Sequence, residues 1–114
     1  MDMAKLLAQE AHRASALARR AADIEIRGRV AEGALSPVEV FSDESYTKSK
    51  NTVASIFQLA YGWSRGECAV LLHALGLRDW MGVRVADLRP NTRARVRELA
   101  QIFESRYAKR EARA

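Results

Sequence analysis

The stretch from Thr52 to Leu77 reads TVASIFQLAYGWSRGECAVLLHALGL. Val53, Ile56, Phe57 and Ala60 recur at i, i+3, i+4 and i+7, the spacing of one buried helix face. Cys68, Leu71, Leu72 and Leu75 repeat the pattern further on. Between the two faces lies Tyr61-Gly62-Trp63-Ser64-Arg65, a hinge in which Gly62 supplies the backbone freedom a sharp turn needs. Ser64 followed three residues later by Glu67 is a capping box, in which hydroxyl and carboxylate each satisfy one orphan N–H. The pattern therefore predicts that the second helix starts at Arg65. Its free amides and the positive end of its dipole then sit at the hinge, an arrangement suited to a phosphate. A helix-two-turn-helix that grips a nucleic-acid backbone has this layout. So does a plain helical hairpin, whose turns also favour Gly and Ser. The stretch decides an all-α, hinged pair and leaves its purpose open.

Composition supports the all-α class. The chain has 114 residues, enough for one domain with a modest core, and is 48% hydrophobic and 29% charged. Two prolines and six glycines leave room for long regular segments, and strictly alternating β-branched runs are missing. Cys68 has no partner for an internal disulfide and falls on the predicted apolar face, where a thiol acts as a small hydrophobe. That fits a reducing cytoplasm. No run of about 18 apolar residues is present, so no membrane span is expected. Asp2 and the lack of a long apolar run near the start argue against a secretory signal.

The net charge of +5 is unevenly placed. Residues 1–77 carry nine Lys/Arg against nine Asp/Glu, whereas residues 78–114 carry ten against five. Residues 31–47 hold four acids and no Lys or Arg. A basic, arginine-heavy end on a small domain suits a polyanion such as nucleic acid. It equally suits a solvated surface.

Working outward toward the N-terminus, residues 2–32 read as one helix, with Ala at eight of the first 22 positions and Asp2 as its cap. The apolar stripe is weak before Leu17, and a helix of about 30 residues is roughly 45 Å long, more than this domain can bury. Residues 1–16 are therefore expected to project from a single helical domain spanning 17–110. Arg13, Arg20 and Arg27 recur every seven positions and share roughly one face, with Arg19 and Arg29 nearby; such a row is a solvated face or a phosphate-tracking rail. Gly33 is a plausible stop. Ser36-Pro37-Val38-Glu39 restarts a helix with a cap, a first-position proline and a closing Glu39, and Val38 and Phe41 are its expected buried side. Residues 42–51 are polar and read as loop, with Lys48 and Lys50 ending the acidic run; Tyr46 is a candidate packing residue.

Toward the C-terminus, Gly76 and Arg78–Gly82 predict a turn whose Trp80 and Met81 cap the core. Residues 83–89 read as a short helix or turn with Val85 and Leu88 inward and Arg84 and Arg89 outward. Pro90 breaks the chain and Asn91 is a fair N-cap. The last helix is expected to reach Arg110, with Val96, Leu99, Ala100, Phe103 and Tyr107 as its apolar face and 111–114 as a flexible tail. Arg93, Arg95 and Arg97 crowd its start, where cations oppose the helix dipole at a cost of a few tenths of a kcal/mol each. An anionic partner would account for that, and so would surface drift.

This order of pieces resembles the actinobacterial integration host factors, small nucleoid proteins unrelated in fold to the enterobacterial dimer of the same name. Their pattern has an Ala/Arg-rich first helix, a segment like R-x-x-L-x-x-G-x-x-S-L-x-x-V, then K-V-S-A-L-L-E-A-L-P-G-V-G-K-V-R-A, a leucine-rich helix, R-x-R-G-L-G and a closing helix. Here Arg27–Val40 reads RGRVAEGALSPVEV, Thr52–Cys68 lies on the second segment without a gap, and Arg84–Arg89 reads RVADLR. The likeness covers about residues 17–103 and rests on spacing and residue class. It implies a monomer with no cofactor that binds duplex DNA through the backbone with little sequence preference and shapes it. It also implies a place on the cytoplasmic nucleoid and a recombination protein, such as an integrase, as a further partner. The resemblance puts Gly62, Ser64 and Arg65 at the phosphate-facing hinge, Arg84 and Arg89 in the second basic segment and Arg20 and Arg27 on the arm. Lys50 and Arg93 complete the candidate DNA-binding set from the basic positions beside these segments. Several positions depart from the pattern. The hinge proline is Tyr61, the second hinge glycine Ser64, the lysine Arg65, and the lysine before the hairpin Thr52. The R-G-L-G glycines become Asp87 and Arg89. Trp63 replaces a small apolar residue, to pack or to touch a sugar edge or the arm.

Three other classes compete. The same hinge occurs in a small-subunit ribosomal protein, so RNA is an alternative ligand, and the separated acidic and basic stretches could dock on protein partners. Catalysis is the weakest class. His12 and His73 lie 61 positions apart, and neither a metal-ligand cluster nor a phosphate loop with Lys-Ser/Thr is present. A single-chain enzyme with this hinge, the formamidopyrimidine type of DNA glycosylase, is larger and carries a zinc finger.

Overall fold

The computed structural model describes the backbone of residues 2–113 and the side chains of residues 2–106. The described residues form an all-α domain: α1 (Met3–Ala31), α2 (Pro37–Ser42), α3 (Val53–Tyr61), α4 (Arg65–Ala74), a 3-10 turn (Val85–Asp87) and α5 (Pro90–Arg113). Tyr107 and the 111–114 tail lie outside the residues whose side chains are described.

Each boundary has a local cause. Asp2 caps α1 by accepting from the Ala4 N–H at 3.1 Å, and Gly33, in the left-handed region at φ 77°, lets the chain leave after the Glu32 cap. Ser36 caps α2 by accepting from the Glu39 N–H at 3.2 Å, with Pro37 in the first turn. The expected return bond from the Glu39 carboxylate does not form among the described contacts, and Val40 is buried beside Phe41 while Val38 is half-buried. The helix is only six residues long, so its packing side is set by what lies beneath it. α5 begins at Pro90 and not after Asn91: proline has a preset φ and no N–H to satisfy, so it fits the first helical position and leaves Asn91 inside the first turn.

The core gathers on Phe57 of α3. Phe41 of α2 lies 5.5 Å away, ring to ring, and Trp63 stacks on Phe57 at 4.4 Å and 2°. Phe103 of α5 meets Trp63 edge-on at 4.7 Å, and the Tyr61 hydroxyl donates to the Ala100 carbonyl at 3.2 Å. Aromatic contacts of this kind add about 0.5–1.5 kcal/mol per pair beyond area burial. Trp63 is thus a core residue, 5% exposed, and packing accounts for its large side chain. Ile56, Cys68, Leu72, Val85, Val96 and Ala100 fill the space around the stack. Trp80 packs on this core, half-buried, but Met81 is exposed and does not cap it.

Helix α1 crosses α3 through Ile26 and Val30, and α2 lies on α5. Residues 2–15 are exposed throughout, and the molecule measures 64 × 31 × 23 Å, so the first half of α1 extends past the body of the domain.

Candidate nucleic-acid interface

The hinge is built as its residues dictate. Gly62 sits at φ 65°, ψ 27°, a left-handed cap that closes α3 without a Cβ penalty. Ser64 Oγ accepts from the Glu67 N–H at 3.1 Å, and Glu67 Oε1 accepts from the Ser64 N–H at 3.3 Å. The start of α4 therefore already holds a carboxylate, which takes one donor and part of the dipole's attraction for an anion. Arg65 turns toward the 78–82 turn, with Nη2 3.2 Å from Met81 Sδ, beside a cavity of about 190 Å³ lined also by Thr52, Ala54, Gln58 and Trp80.

A second site arises where three distant segments meet. Residues 49–53 pair with 83–86. The Val53 N–H donates to the Val83 carbonyl at 3.0 Å, the Val85 N–H to Asn51 at 2.9 Å and the Ala86 N–H to Ser49 at 2.9 Å, with Thr52 and Arg84 opposed in an antiparallel bridge. Asp23 of α1 fastens this ribbon. Its Oδ1 accepts from Ser49 Oγ at 2.9 Å and from the Lys50 N–H at 3.3 Å, and its backbone carbonyl accepts from Asn51 Nδ2 at 2.9 Å. Ser49 and Asn51 are buried polar residues, and these bonds remove the desolvation cost of a few kcal/mol that each would otherwise carry.

The fastening sets Lys50 and Arg84 beside the helix. A cavity of about 360 Å³ is lined by His12, Ala16, Arg19, Arg20, Asp23, Lys50 and Arg84. Four cations face one carboxylate there, and that carboxylate accepts two hydrogen bonds from the ribbon. Arg19 Nε donates to the Ser15 carbonyl at 3.4 Å, while among the described residues no side-chain bond engages the heads of Arg20, Lys50 or Arg84. Concave, single-sign charge of this kind focuses an attractive potential for anions.

The structure brings Arg20, Lys50 and Arg84 to one cleft and leaves the other expected residues elsewhere. Gly62, Ser64 and Arg65 belong to the hinge. Arg27 and Arg89 are exposed and do not line the cleft. Arg93, expected among the DNA-binding residues, is engaged within the fold: Nη2 donates to the Val85 and Leu88 carbonyls, both at 3.2 Å, and Nε is buried without a partner. Its guanidinium ties α5 to the 3-10 turn, adding a second donor to the Val85 carbonyl, which already accepts from the Leu88 N–H at 3.3 Å, and a donor to the Leu88 carbonyl just past the turn. Arg29 is also engaged within the fold: its Nη1 donates to the Tyr46 hydroxyl at 3.1 Å, and that bond, with the electrostatic interaction of Tyr46, raises the arginine's pKa. Burial, aided by Glu67, pushes the Cys68 thiol up, as expected of a packed hydrophobe.

His12, Arg19 and Asp23 complete the cleft. Their signal was periodic: the inward face at Ile26 and Val30 continues toward the N-terminus as Asp23, Arg19, Ala16 and His12, polar where it outruns the core. Among the described residues no helix is long and apolar enough to cross a membrane. No protein-family model, curated protein or solved structure matches the chain.

Proposed function

We propose that this is a non-enzymatic protein that binds duplex DNA through its phosphate backbone, with little sequence preference, and shapes it in the manner of the actinobacterial integration host factors. The observation that carries the proposal is the convergence of Arg20, Lys50 and Arg84 with Arg19 around one open cleft whose sole carboxylate is already bonded to the ribbon. Cations held close together repel one another, and an anion relieves that repulsion while releasing counterions from DNA. The net charge of +5 adds long-range attraction. The exposed Arg27 and Arg13 extend the basic track along α1, and Arg65 and Arg89 are peripheral contacts. On this proposal the protein works on the nucleoid, and a recombination protein such as an integrase is the class of partner that would use the shaped DNA.

A gel shift against random duplex at about 50 mM salt tests it, with half-binding expected at about 1–100 µM and steep weakening as salt rises. Replacing Arg20, Lys50 and Arg84 together by Ala should lower the log–log salt slope by about two to three, one phosphate contact apiece. Absence of a shift with excess protein would end the proposal. Competition with an RNA duplex of the same sequence separates B-form from A-form preference, since A-form RNA is also held through its backbone.

A further inference from the structure

Helix α1 has a second apolar face, opposite the one that meets the domain. Ile26 and Val30 are buried and, with His12, Ala16, Arg19 and Asp23, define the inward side. At 100° per residue the other side carries Met3, Leu7, Ala14, Leu17, Ala21, Ile24 and Gly28. All are exposed, Met3 at 69%, Leu7 at 59%, Leu17 at 58% and Ile24 at 60%. Four large apolar side chains along one outward stripe are unusual on a chain whose remaining large hydrophobics mostly pack inward.

The stripe repeats every seven residues. Met3, Leu17 and Ile24 share one heptad position, interrupted by Glu10, and Leu7, Ala14, Ala21 and Gly28 share the next. A large residue alternating with a small one at a 3.5-residue mean spacing is the pattern of a helix seam, with the small side chains allowing close approach. The flanking charges specify the occupant. In a parallel pair of such helices, a residue beside the seam faces the residue five positions on in the other helix. Arg20 then faces Glu25 and Arg27 faces Glu32, opposite charges twice on each side of a two-fold axis. An antiparallel pair would set the Arg13–Arg20–Arg27 edge against its own copy.

We propose that the outward face of α1 is a homodimer seam, in which two copies pair their N-terminal helices in parallel and leave the basic clefts on opposite sides. This departs from the monomer that the family resemblance implies; Arg20, which lines the cleft, is then shared with Glu25 of the second copy, while the apolar seam itself does not touch the cleft. Glu10 is the one charged seam position, and it keeps the association weak.

Sedimentation of the full chain at about 100 µM should show a reversible dimer. Leu17→Asp with Ile24→Asp should abolish it with the helical circular dichroism of the domain retained, because both side chains are solvent-exposed in the single chain. Glu10→Leu should tighten the dimer at least tenfold. Glu25→Arg should weaken it, and adding Arg20→Glu should restore it. On oxidation, Leu17→Cys and, separately, Met3→Cys should each give a disulfide-linked pair, since two positions 14 residues apart on one helix both meet their own copies only in the parallel arrangement. A chain that stays monomeric at this concentration, both as it is and with Glu10→Leu, overturns the proposal. So does a dimer indifferent to Leu17→Asp with Ile24→Asp, or one that Leu17→Cys and Met3→Cys do not both cross-link.

Discussion

The hinge between α3 and α4 and the cleft beside α1 both carry basic residues where a phosphate could sit, yet they are built in opposite ways. At the hinge every element is local: Gly62, Ser64, Arg65 and Glu67 lie within six residues, and the capping box satisfies its own donors and brings its own carboxylate. At the cleft the cations come from positions 19, 20, 50 and 84, and Asp23 is bonded to the ribbon that carries Lys50. A site that completes itself has little left for a ligand. A site assembled from distant cations remains electrostatically incomplete. That difference makes the hinge the scaffold and the cleft the candidate gripping surface.

The contrast can be broken experimentally. The largest effect is expected at the scaffold. Phe57→Ala removes the ring shared by the Phe41 and Trp63 contacts and should cost about 3–5 kcal/mol in urea unfolding. If Phe57→Ala left stability intact, the aromatic stack would not be the core's centre. Next in size, the triple cleft variant should lose at least about a hundredfold in DNA affinity at low salt, with unfolding nearly unchanged, while Arg65→Ala should change affinity by less than about threefold. A reversal of that order would return the gripping role to the hinge.

Arg93 divides the two functions a basic residue can serve. Arg93→Ala removes the side-chain bonds to the Val85 and Leu88 carbonyls and should cost about 1–3 kcal/mol of stability with an unchanged salt slope. A slope reduced by about one would mean that its guanidinium reaches a phosphate after all. Ser64→Ala should cost about 1 kcal/mol through the lost cap and leave DNA binding as it was. The smallest expected change is at Asp23→Asn. An amide oxygen can still accept from Ser49 and Lys50, so the fold persists, while the cleft loses its one negative charge and binds DNA a few-fold more tightly. Weaker binding would show that Asp23 contributes more than fastening.

Much of this was legible along the chain because it depends on near neighbours. Helical spacing at 53–60 and 68–75, the Ser64–Glu67 box, the left-handed Gly62 and the inward Val85 and Leu88 each follow from residues a turn or two apart. The internal bonds of Arg93 are not legible in the sequence, for a physical reason. Sequence shows that it opposes the dipole of α5, but not that the carbonyls of Val85, in the ribbon, and Leu88, two residues past it, would receive it. Lys50 and Arg84 each read as basic residues near a predicted turn, with no local sign that Thr52 and Arg84 stand opposite one another.

The helices, their caps and the apolar sides of α3, α4 and α5 follow from the chain alone, since periodicity and capping act over one to three turns. Which cations meet follows only from the folded arrangement. Asp23, Ser49 and Asn51 had to be brought from opposite ends of a 28-residue separation before Lys50 could be set beside Arg20 and Arg84. Electrostatic convergence depends on distance in space, and on that scale neighbours in sequence carry little information about neighbours in charge.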